Sequence, residues 1–479
     1  MTKNAKTYLH SIICIVLMIG IGFLPTFGNV TPIGMKVLGV FIGMMYGWIF
    51  CGLIWPSFLG ILVFGFSGLM GVSEAFSSGF GNSTVVMILV CFVFASVLEY
   101  FKVGDALAGK VFSMKFMVGR PWLMIYILLA SACIIAGLSN TFLVFFIYCD
   151  VVIKIAEKCG YEKGSSFVSF MIGAILFAAS MGAILFPFKA TALMYMGFLT
   201  NTIDVTIGFA EYFAWMFVLQ LASLLVILLT ARFIFRLDVS PLKDGDHFAE
   251  YRGSKLSSYQ KFGLVITVIF ILAMILPSFM PTTWWITQFL NQLGLLGVIS
   301  IILVLVAIIQ TQKGESLGNL REFSKDGVNW DVTWLLVATM PVASAITAEE
   351  CGITSTVVQT ITPVLQNMSP IVFICILVVI LGLLTQVMHN LVIGALFIPL
   401  GATLLMNMGG NPIVLMLGIM LAITPALGTP AGAAQSPLFH GHPWVSKKYG
   451  YMWGFTFAIV LLLVICVIGV PLGQVLFQL

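Results

Sequence analysis

Polar residues interrupt two otherwise apolar runs of this sequence. The first run carries Ser139-Asn140-Thr141 near its middle, and the second carries His389-Asn390. Hydroxyl and amide groups donate hydrogen bonds without bringing a fixed charge. A carboxylate bound by such groups can also be released, because no fixed charge holds it. Both positions are therefore candidates for binding a small anion.

Two proline-containing segments predict breaks in membrane helices. They read Pro187-Phe188-Lys189-Ala190-Thr191 and Thr429-Pro430-Ala431-Gly432. Non-helical backbone at membrane depth is tolerated only inside protein or beside a wet cavity. The N-terminus of a half-helix there offers free N–H groups and a positive dipole end to an anion. An ionisable residue within the membrane indicates function. The alternatives are that Lys189 reaches a water surface and that His389 is a hydrogen-bonded packing residue.

The composition indicates a membrane protein. Of 479 residues, 60% are hydrophobic and only 8% are Asp, Glu, Lys or Arg, whereas a soluble protein has about 25% charged residues. The apolar runs predict about ten or eleven spanning helices of about 20 residues each. The first run, 9–24, lacks a following cleavage site, so we interpret it as a retained helix. The nine cysteines lack C-x-x-C spacing and indicate packing. We expect no metal site and no cofactor.

The lysines and arginines predict the topology. With a cytoplasmic N-terminus, nearly all of them fall inside, and the proposed external segments near 200–210, 279–291, 352–368 and 407–412 contain none. Only Lys36 and Lys189 break the pattern. The arrangement requires an inward-facing re-entrant hairpin at 121–157 and an outward-facing one at 369–406. The alternative of two long spanning helices would invert much of the positive charge. We therefore expect a multi-pass protein of the cell membrane.

The order of these features indicates an inverted repeat. Asn140 and Asn390 lie 250 residues apart, and the same offset relates the helix at 82–100 to an apolar run at 332–350. It also relates the interrupted span at 165–199 to the region from Pro412 to His440. We predict an N-terminal helix at 1–30, a first repeat at 31–237, a cytoplasmic linker at 238–260 and a second repeat at 261–479. Inverted-topology repeats are typical of secondary transporters.

These residues resemble the divalent anion:sodium symporter family. Its hairpin tips read Ser-Asn-Thr, matched by Ser139-Asn140-Thr141, and Ala178-Ala179-Ser180-Met181-Gly182 and Asn329-Trp330-Asp331 are also similar to family segments. The resemblance implies an all-helical fold with about 11 transmembrane helices plus two re-entrant hairpins, and sodium-coupled transport of di- or tricarboxylates or sulfate. It also implies a homodimer with an elevator mechanism, in which a transport domain moves against a fixed scaffold.

The sequence departs from that family at the positions that would line its two sodium sites. The second tip keeps Asn390 but has His389 and Leu391 in place of the hydroxyl residues, the second break lacks its Asn, and the first break contains Lys189. A lysine ammonium or a histidinium can occupy the electrostatic position of Na⁺. The hypothesis is therefore a sodium-independent anion exchanger in which these two side chains replace the sodium ions. Sodium- or proton-coupled symport of a dicarboxylate or sulfate is the alternative.

Two further classes of protein fit less well. A cation/proton antiporter needs an unpaired intramembrane Asp, but Asp150 has Lys154 four residues away, where a structural ion pair is expected. A membrane-embedded enzyme needs clustered His, Asp or Glu in the spans, and the sequence lacks such a cluster, so we do not expect an enzyme. We also expect no nucleic-acid partner. The expected partners are the lipid bilayer, a second copy and a small anion. The predicted substrate-binding residues are Ser139, Asn140, Thr141, Lys189, Ala190, Thr191, His389, Asn390, Thr429, Pro430 and Gly432.

Overall fold

Apolar sequence in a bilayer has to satisfy its backbone hydrogen bonds internally, which favours helices. A computed structural model describes residues 3–243, 248, 256–310, 316–365 and 368–477, and helices dominate these residues. The predicted linker at 238–260 lies partly outside the described residues. After it, a capping box closes the start of the next helix, because the Ser257 hydroxyl accepts from the Gln260 amide and the Gln260 side chain accepts from the Ser257 amide.

The helices of the first half run from the N-terminus to residue 234. They are α1 Lys3–Gly20, α2 Pro32–Phe50, α3 Ile54–Phe64, α4 Val72–Phe80, α5 Ser83–Tyr100, α6 Val103–Phe112, α7 Pro121–Leu138, α8 Thr141–Lys158, α9 Ser166–Gly182, α10 Ala190–Thr200 and α11 Phe209–Leu229. A π-helical turn, Thr230–Ile234, continues α11.

The helices of the second half follow the linker. They are α12 Ser258–Ile275, α13 Trp285–Ile308, α14 Leu320–Gly327, α15 Trp330–Thr347, α16 Ile353–Leu365, α17 Pro370–Leu384, α18 Asn390–Asn407, α19 Pro412–Ile423, α20 Ser436–His440, α21 Lys447–Val464 and α22 Val470–Leu476. A second π-helical turn, Ile465–Gly469, joins α21 to α22.

Nine helices within the described part of the chain are long and apolar enough to cross a membrane. They are α2, α5, α7, α11 with its π-turn, α12, α13, α15, α18, and α21 with α22. Six shorter apolar helices accompany them. These helices confirm the all-helical, multi-span membrane fold expected from composition. The predicted number of about eleven falls between the long helices alone and the long and short helices together.

The two predicted hairpins are helix–turn–helix units in the structure. Only Ser139 and Asn140 separate α7 from α8, and the Asn140 side chain accepts from the amide of Phe142 at 2.8 Å, capping α8. The second turn is longer, since 385–389 separate α17 from α18. His389 caps α18 by accepting from the Leu391 amide at 3.3 Å. That each hairpin is re-entrant stays a prediction.

The helix interruptions fall where the sequence predicts breaks. Residues 183–189 separate α9 from α10, and Lys189 is the residue immediately before α10. Residues 424–435 separate α19 from the short helix α20. Each interruption leaves backbone groups without helical partners, so side chains from elsewhere can bond there.

Each half contains an equivalent hydrogen bond that the sequence comparison did not reveal. Thr141 Oγ1 donates to the carbonyl of Ala179 at 3.4 Å, and Thr385 Oγ1 donates to the carbonyl of Ile423 at 3.4 Å. Both bonds join residues 38 apart and connect a hairpin turn to the end of the next broken helix. The bonding counterpart of Thr141 is therefore Thr385 rather than Leu391, and the second turn does retain a hydroxyl in this role.

Candidate functional site

A cavity of about 310 Å³ lies where the first hairpin turn meets the first helix interruption. The C-terminal half of α5 and the segment joining α14 to α15 complete its wall. Its polar and charged lining residues include Ser96, Glu99, Ser139, Asn140, Thr141, Lys189, Thr191, Asp326 and Asn329. Six of the predicted binding residues therefore share one cavity, because Ala190 also lines it.

Lys189 connects the interruption to the hairpin turn. Its ammonium donates a hydrogen bond of 2.7 Å to the backbone carbonyl of Ser139. The side chain is half-buried, and Lys189 is the residue immediately before the first turn of α10. A charged donor on a carbonyl is among the stronger protein hydrogen bonds. The bond places a positive charge at the carbonyl end of α7, where a bound cation would also be stabilised.

The three residues of the first turn use their polar atoms differently. The Ser139 hydroxyl turns back to donate to the carbonyl of Ile135 at 2.9 Å. The Asn140 carbonyl oxygen caps α8, so its amide group retains two N–H donors. Thr141 donates to Ala179 of α9. The turn thus contributes the Asn140 amide to the cavity that the Lys189 ammonium also lines, and both groups suit a carboxylate oxygen.

Small residues set the position of this turn. A Cβ on Gly182 at the end of α9 would lie 2.2 Å from the Cys133 carbonyl oxygen of α7. A Cβ on Gly104 of α6 would lie 2.8 Å from the Ser139 hydroxyl oxygen. Neither site tolerates a side chain without movement. Close approach through small residues is a common way of packing membrane helices, and here it fixes the turn between α6 and α9.

The predicted residues of the second half lie outside this cavity. Gln386 holds the second turn against the second interruption: its side-chain oxygen accepts from the Gly428 amide at 2.7 Å, and its backbone carbonyl accepts from the Thr429 hydroxyl. Gln386 is buried, and its amide nitrogen donates to the carbonyl of Gly382 at 2.9 Å. His389, Asn390, Pro430 and Gly432 do not line the cavity at the first turn.

A glutamine joins the two interruptions. Gln435 Nε2 lies 3.0 Å from the Ser180 hydroxyl and 3.3 Å from the carbonyl of Thr424. Ser180 is near the end of α9, and Thr424 directly follows α19. The two broken helices therefore meet, although only the first interruption lines the cavity at the first hairpin turn.

Residues 5–479 match the family model described as the sodium:sulfate symporter transmembrane region. The chain belongs to this family. It is 22% identical to a sodium-dependent dicarboxylate transporter, SdcS, of Staphylococcus saprophyticus, over 82% of this chain and 77% of that protein. SdcS of Staphylococcus aureus is also 22% identical, over 84% of this chain and 80% of the relative. The symporter-family membership makes the chain a membrane transporter rather than an enzyme.

A solved structure shows the same fold at low sequence identity. The YdaH transporter of Alcanivorax borkumensis aligns with a TM-score of 0.55 and 12% identity, over 84% of this chain and 88% of that one. This likeness extends across most of both molecules. It supports the helical transporter architecture and carries no information about substrate.

A second cavity of this symporter-family chain, of about 350 Å³, lies at the opposite end of α5 and α15. Asn82 at the start of α5 and Ser344 near the end of α15 both line it. At the first cavity it is the end of α5 and the start of α15 that meet. The two helices therefore run antiparallel, as counterparts in an inverted repeat would. An asparagine caps each of them, Asn82 on α5 and Asn329 on α15.

Other polar residues outside the first cavity have local partners. Asp150 and Lys154 form the expected ion pair at 2.7 Å, with both side chains more than half exposed. His440 Nε2 lies 2.9 Å from the carbonyl of Leu427, and His442 accepts from the Trp444 amide at 3.2 Å. Across the described ranges, no group of three His, Cys, Asp or Glu could hold a metal ion.

Sequence reasoning missed three side chains of these sites. Glu99 falls near the end of the helix expected at 82–100, where nothing in the sequence marks it as a site residue, yet it lines the first cavity. Asp326, on the short helix α14, lines it too. Gln386 stands out as a polar residue within the apolar run 371–405, a signal that could have marked it. For Glu99 and Asp326 no local signal exists, because only tertiary packing brings them to the hairpin turn.

Proposed function

We propose that this protein is a secondary active transporter of small organic anions, di- or tricarboxylates, and that the anion binds in the cavity at the first hairpin turn. The observation that carries this proposal is the Lys189 ammonium held on the Ser139 carbonyl, 2.7 Å away, in a cavity that Asn140 also lines. One carboxylate group would accept from both donors. The Thr191 side chain and the backbone of Ala190, at the N-terminus of α10, would contact the rest of the anion.

Transport is proposed to be sodium-independent exchange. The Lys189 ammonium bonds to a backbone carbonyl, the kind of ligand that a sodium ion takes. A covalently attached charge makes a dissociable cation at this position unnecessary. The relatives named above are called sodium-dependent transporters, so sodium-coupled symport remains the second candidate. The two candidates differ in a directly measurable property, the requirement for external sodium.

The second set of predicted residues is proposed to act in a different state of the transport cycle. These residues belong to the second turn and the second interruption: His389, Asn390, Thr429, Pro430 and Gly432. In this state hydrogen bonds of Gln386 hold the turn against the interruption. Movement that separates this turn from the interruption would free the Thr429 hydroxyl and the Gly428 amide for an anion. In that state His389 would supply the positive charge that Lys189 supplies in the first half.

The first cavity is proposed to face the cytoplasm. Lys102 follows the end of α5 and Lys325 lies on α14, at the same end of the molecule as the cavity. Positive residues favour the cytoplasmic side. This orientation makes the α7–α8 hairpin enter from the cytoplasm and the α17–α18 hairpin enter from outside. A homodimer with a mobile transport domain is part of the same proposal and would appear as a dimer mass in detergent.

Reconstitution in liposomes tests the function. Uptake of labelled succinate is measured into liposomes loaded with succinate or with buffer, each with sodium or N-methylglucamine outside. Exchange predicts uptake that requires internal succinate and is unaffected by replacing sodium. Uptake that requires external sodium and ignores internal succinate contradicts exchange and supports symport. The double variant Lys189→Gly, His389→Ser should abolish exchange or introduce dependence on sodium.

A further inference from the structure

A cavity of about 340 Å³ lies where α5 ends and α12 begins, apart from the two cavities described above. These residues line it: Tyr100, Phe101, Lys102, Ser257, Tyr259 and Gln260. The polar groups of this lining are an ammonium, two phenols, a hydroxyl and an amide, all of which can donate hydrogen bonds. No carboxylate is among the lining residues that the structure describes. The chemistry of the lining therefore favours an anion.

Aromatic packing holds the walls of this cavity together. The Phe101 and Tyr259 rings stack with their centroids 6.3 Å apart, and the Tyr100 ring meets the Phe323 ring of α14 edge-on at 5.3 Å. Gly263 lets α12 approach closely, because a Cβ at this position would lie 2.5 Å from the Phe101 Cβ. These contacts fix the ends of α5 and α12 relative to each other.

Local structure does not explain the lysine in this cavity. The Lys102 backbone is left-handed, with φ of 51°, a conformation that lysine adopts rarely and that glycine or asparagine adopts more easily. Its side chain is exposed, and within the described chain it forms no ion pair. Glu99 and Asp105 precede and follow it by three residues, but neither lines the cavity. The ammonium is therefore available to a ligand.

The position of the cavity indicates a lipid as the source of the anion. Both α5 and α12 are long and apolar enough to cross a membrane, so the cavity lies at the ends of two spanning helices, at the level of the lipid headgroups. Tyr100 and Tyr259 are about half exposed, and tyrosines are enriched at this level of a membrane. Lys102 follows the end of α5 that we propose faces the cytoplasm, where anionic lipids give the membrane a negative surface.

We propose that this cavity binds the headgroup of an anionic phospholipid. The Lys102 ammonium pairs with the phosphate, and the tyrosine, serine and glutamine donors surround the rest of the headgroup. A zwitterionic headgroup carries a cation of its own, which Lys102 would repel. Preference for an anionic over a zwitterionic headgroup is therefore the property that identifies the site. It is separate from the anion site proposed at Lys189 and does not depend on the transported substrate.

The test measures lipid binding to the full-length protein in detergent by native mass spectrometry. Dioleoyl phosphatidylglycerol, which is anionic, is compared with dioleoyl phosphatidylcholine, which has the same acyl chains and no net charge. Wild-type protein should bind the anionic lipid saturably and about tenfold more tightly, because several donors and one cation contribute. Lys102→Asn removes the charge with a residue that suits the left-handed backbone. It should weaken binding of the anionic lipid about fivefold, the contribution of one basic residue near an anionic surface, and leave the zwitterionic lipid unaffected.

Matched variants separate the cavity from its surroundings. Lys110→Asn is the control, because Lys110 is an exposed lysine of α6 outside the cavity, and it should bind both lipids as wild type does. Lys102→Arg keeps the charge and should retain the preference. Tyr259→Phe keeps the stacked ring but removes one donor, and should weaken binding of the anionic lipid about threefold. Thermal melting in lipid-free detergent verifies that each variant is folded.

Three results would overturn the inference. One is equal affinity of the wild-type protein for the two lipids, and another is a Lys102→Asn protein that keeps the wild-type preference or a Lys110→Asn protein that loses as much of it. The third is soluble glycerol 1-phosphate that binds as tightly as the anionic lipid and displaces it, since the cavity would then take a free phosphate ester. None of these results concerns uptake of succinate, so the proposed function is tested separately by the liposome assay.

Discussion

Replacing Lys189 by methionine tests the central contact of the proposed site. Methionine keeps the length and apolar stem of the side chain but removes the charge and the donor to Ser139, 2.7 Å away. A hydrogen bond involving a charged group contributes about 1.5–3 kcal/mol, and two unit charges about 4 Å apart interact by about 4 kcal/mol at an effective dielectric constant of about 20. Dehydration of the ammonium offsets part of this attraction. A net loss of about 3 kcal/mol corresponds to a more than 100-fold weaker anion affinity.

The assay is equilibrium binding of labelled succinate to detergent-purified protein without sodium. Lys36→Met is the matched control, because Lys36 also donates to a backbone carbonyl, that of Ser67 at 3.4 Å, but lies outside the cavity. The control should bind succinate as wild type does, and thermal melting verifies that both variants are folded. A Lys189→Met protein whose affinity stays within threefold of wild type would refute the reasoning, since no direct contact with the anion could then exist.

Two further substitutions test close contacts near the two interruptions, and two others are expected to have little effect. Gln386→Leu leaves the buried amide of Gly428 without its acceptor, which should cost about 1–3 kcal/mol and lower the melting temperature of the purified protein. Gly182→Ala places a Cβ against a carbonyl oxygen of α7 and should also lower it, whereas Gly71→Ala, with open space around the added carbon, should not. Asp150→Asn should leave transport intact and stability within about 0.5 kcal/mol, because exposed helical ion pairs contribute little.

Local chemistry made the broken helices and hairpin turns predictable. Pro187 and Pro430 cannot continue a helix in the ordinary way, and both fall inside the interruptions at 183–189 and 424–435. Asn140 is a favourable helix cap, which is the role that it has at the start of α8. Signals of this kind act within a few residues of the chain. They can therefore be recognised without knowledge of the tertiary structure.

The pairing of distant groups was not predictable in the same way. The sequence offset of 250 matched Asn140 with Asn390 and so paired Thr141 with Leu391, but the hydrogen bonds pair Thr141 with Thr385. Thr141 is the first residue of the helix after its turn, whereas Thr385 directly follows the helix before its turn, so the two hydroxyls lie on opposite arms of their hairpins and the sequence offset does not match them. Likewise, the end of α5 could be recognised from the sequence, but the cavity that Glu99 faces depends on how α5 packs against α14 and α10.

In both halves a side chain from the helix interruption bonds to a backbone carbonyl of the hairpin turn, but only in the first half is that side chain charged. This difference bears on exchange. In the first half an ammonium, Lys189, bonds to the carbonyl of the turn; in the second half a neutral hydroxyl, Thr429, does so. A dissociable cation can leave an empty carrier, but Lys189 cannot. Glu99 and Asp326 also line the cavity, but among the described residues neither forms an ion pair with Lys189. Moving an empty site across the membrane would therefore carry the ammonium without a carboxylate bonded to it, which is unfavourable. With an anion bound, that charge is compensated and the same movement is easier. The fixed lysine thus favours a carrier that returns loaded, which is the physical definition of an exchanger.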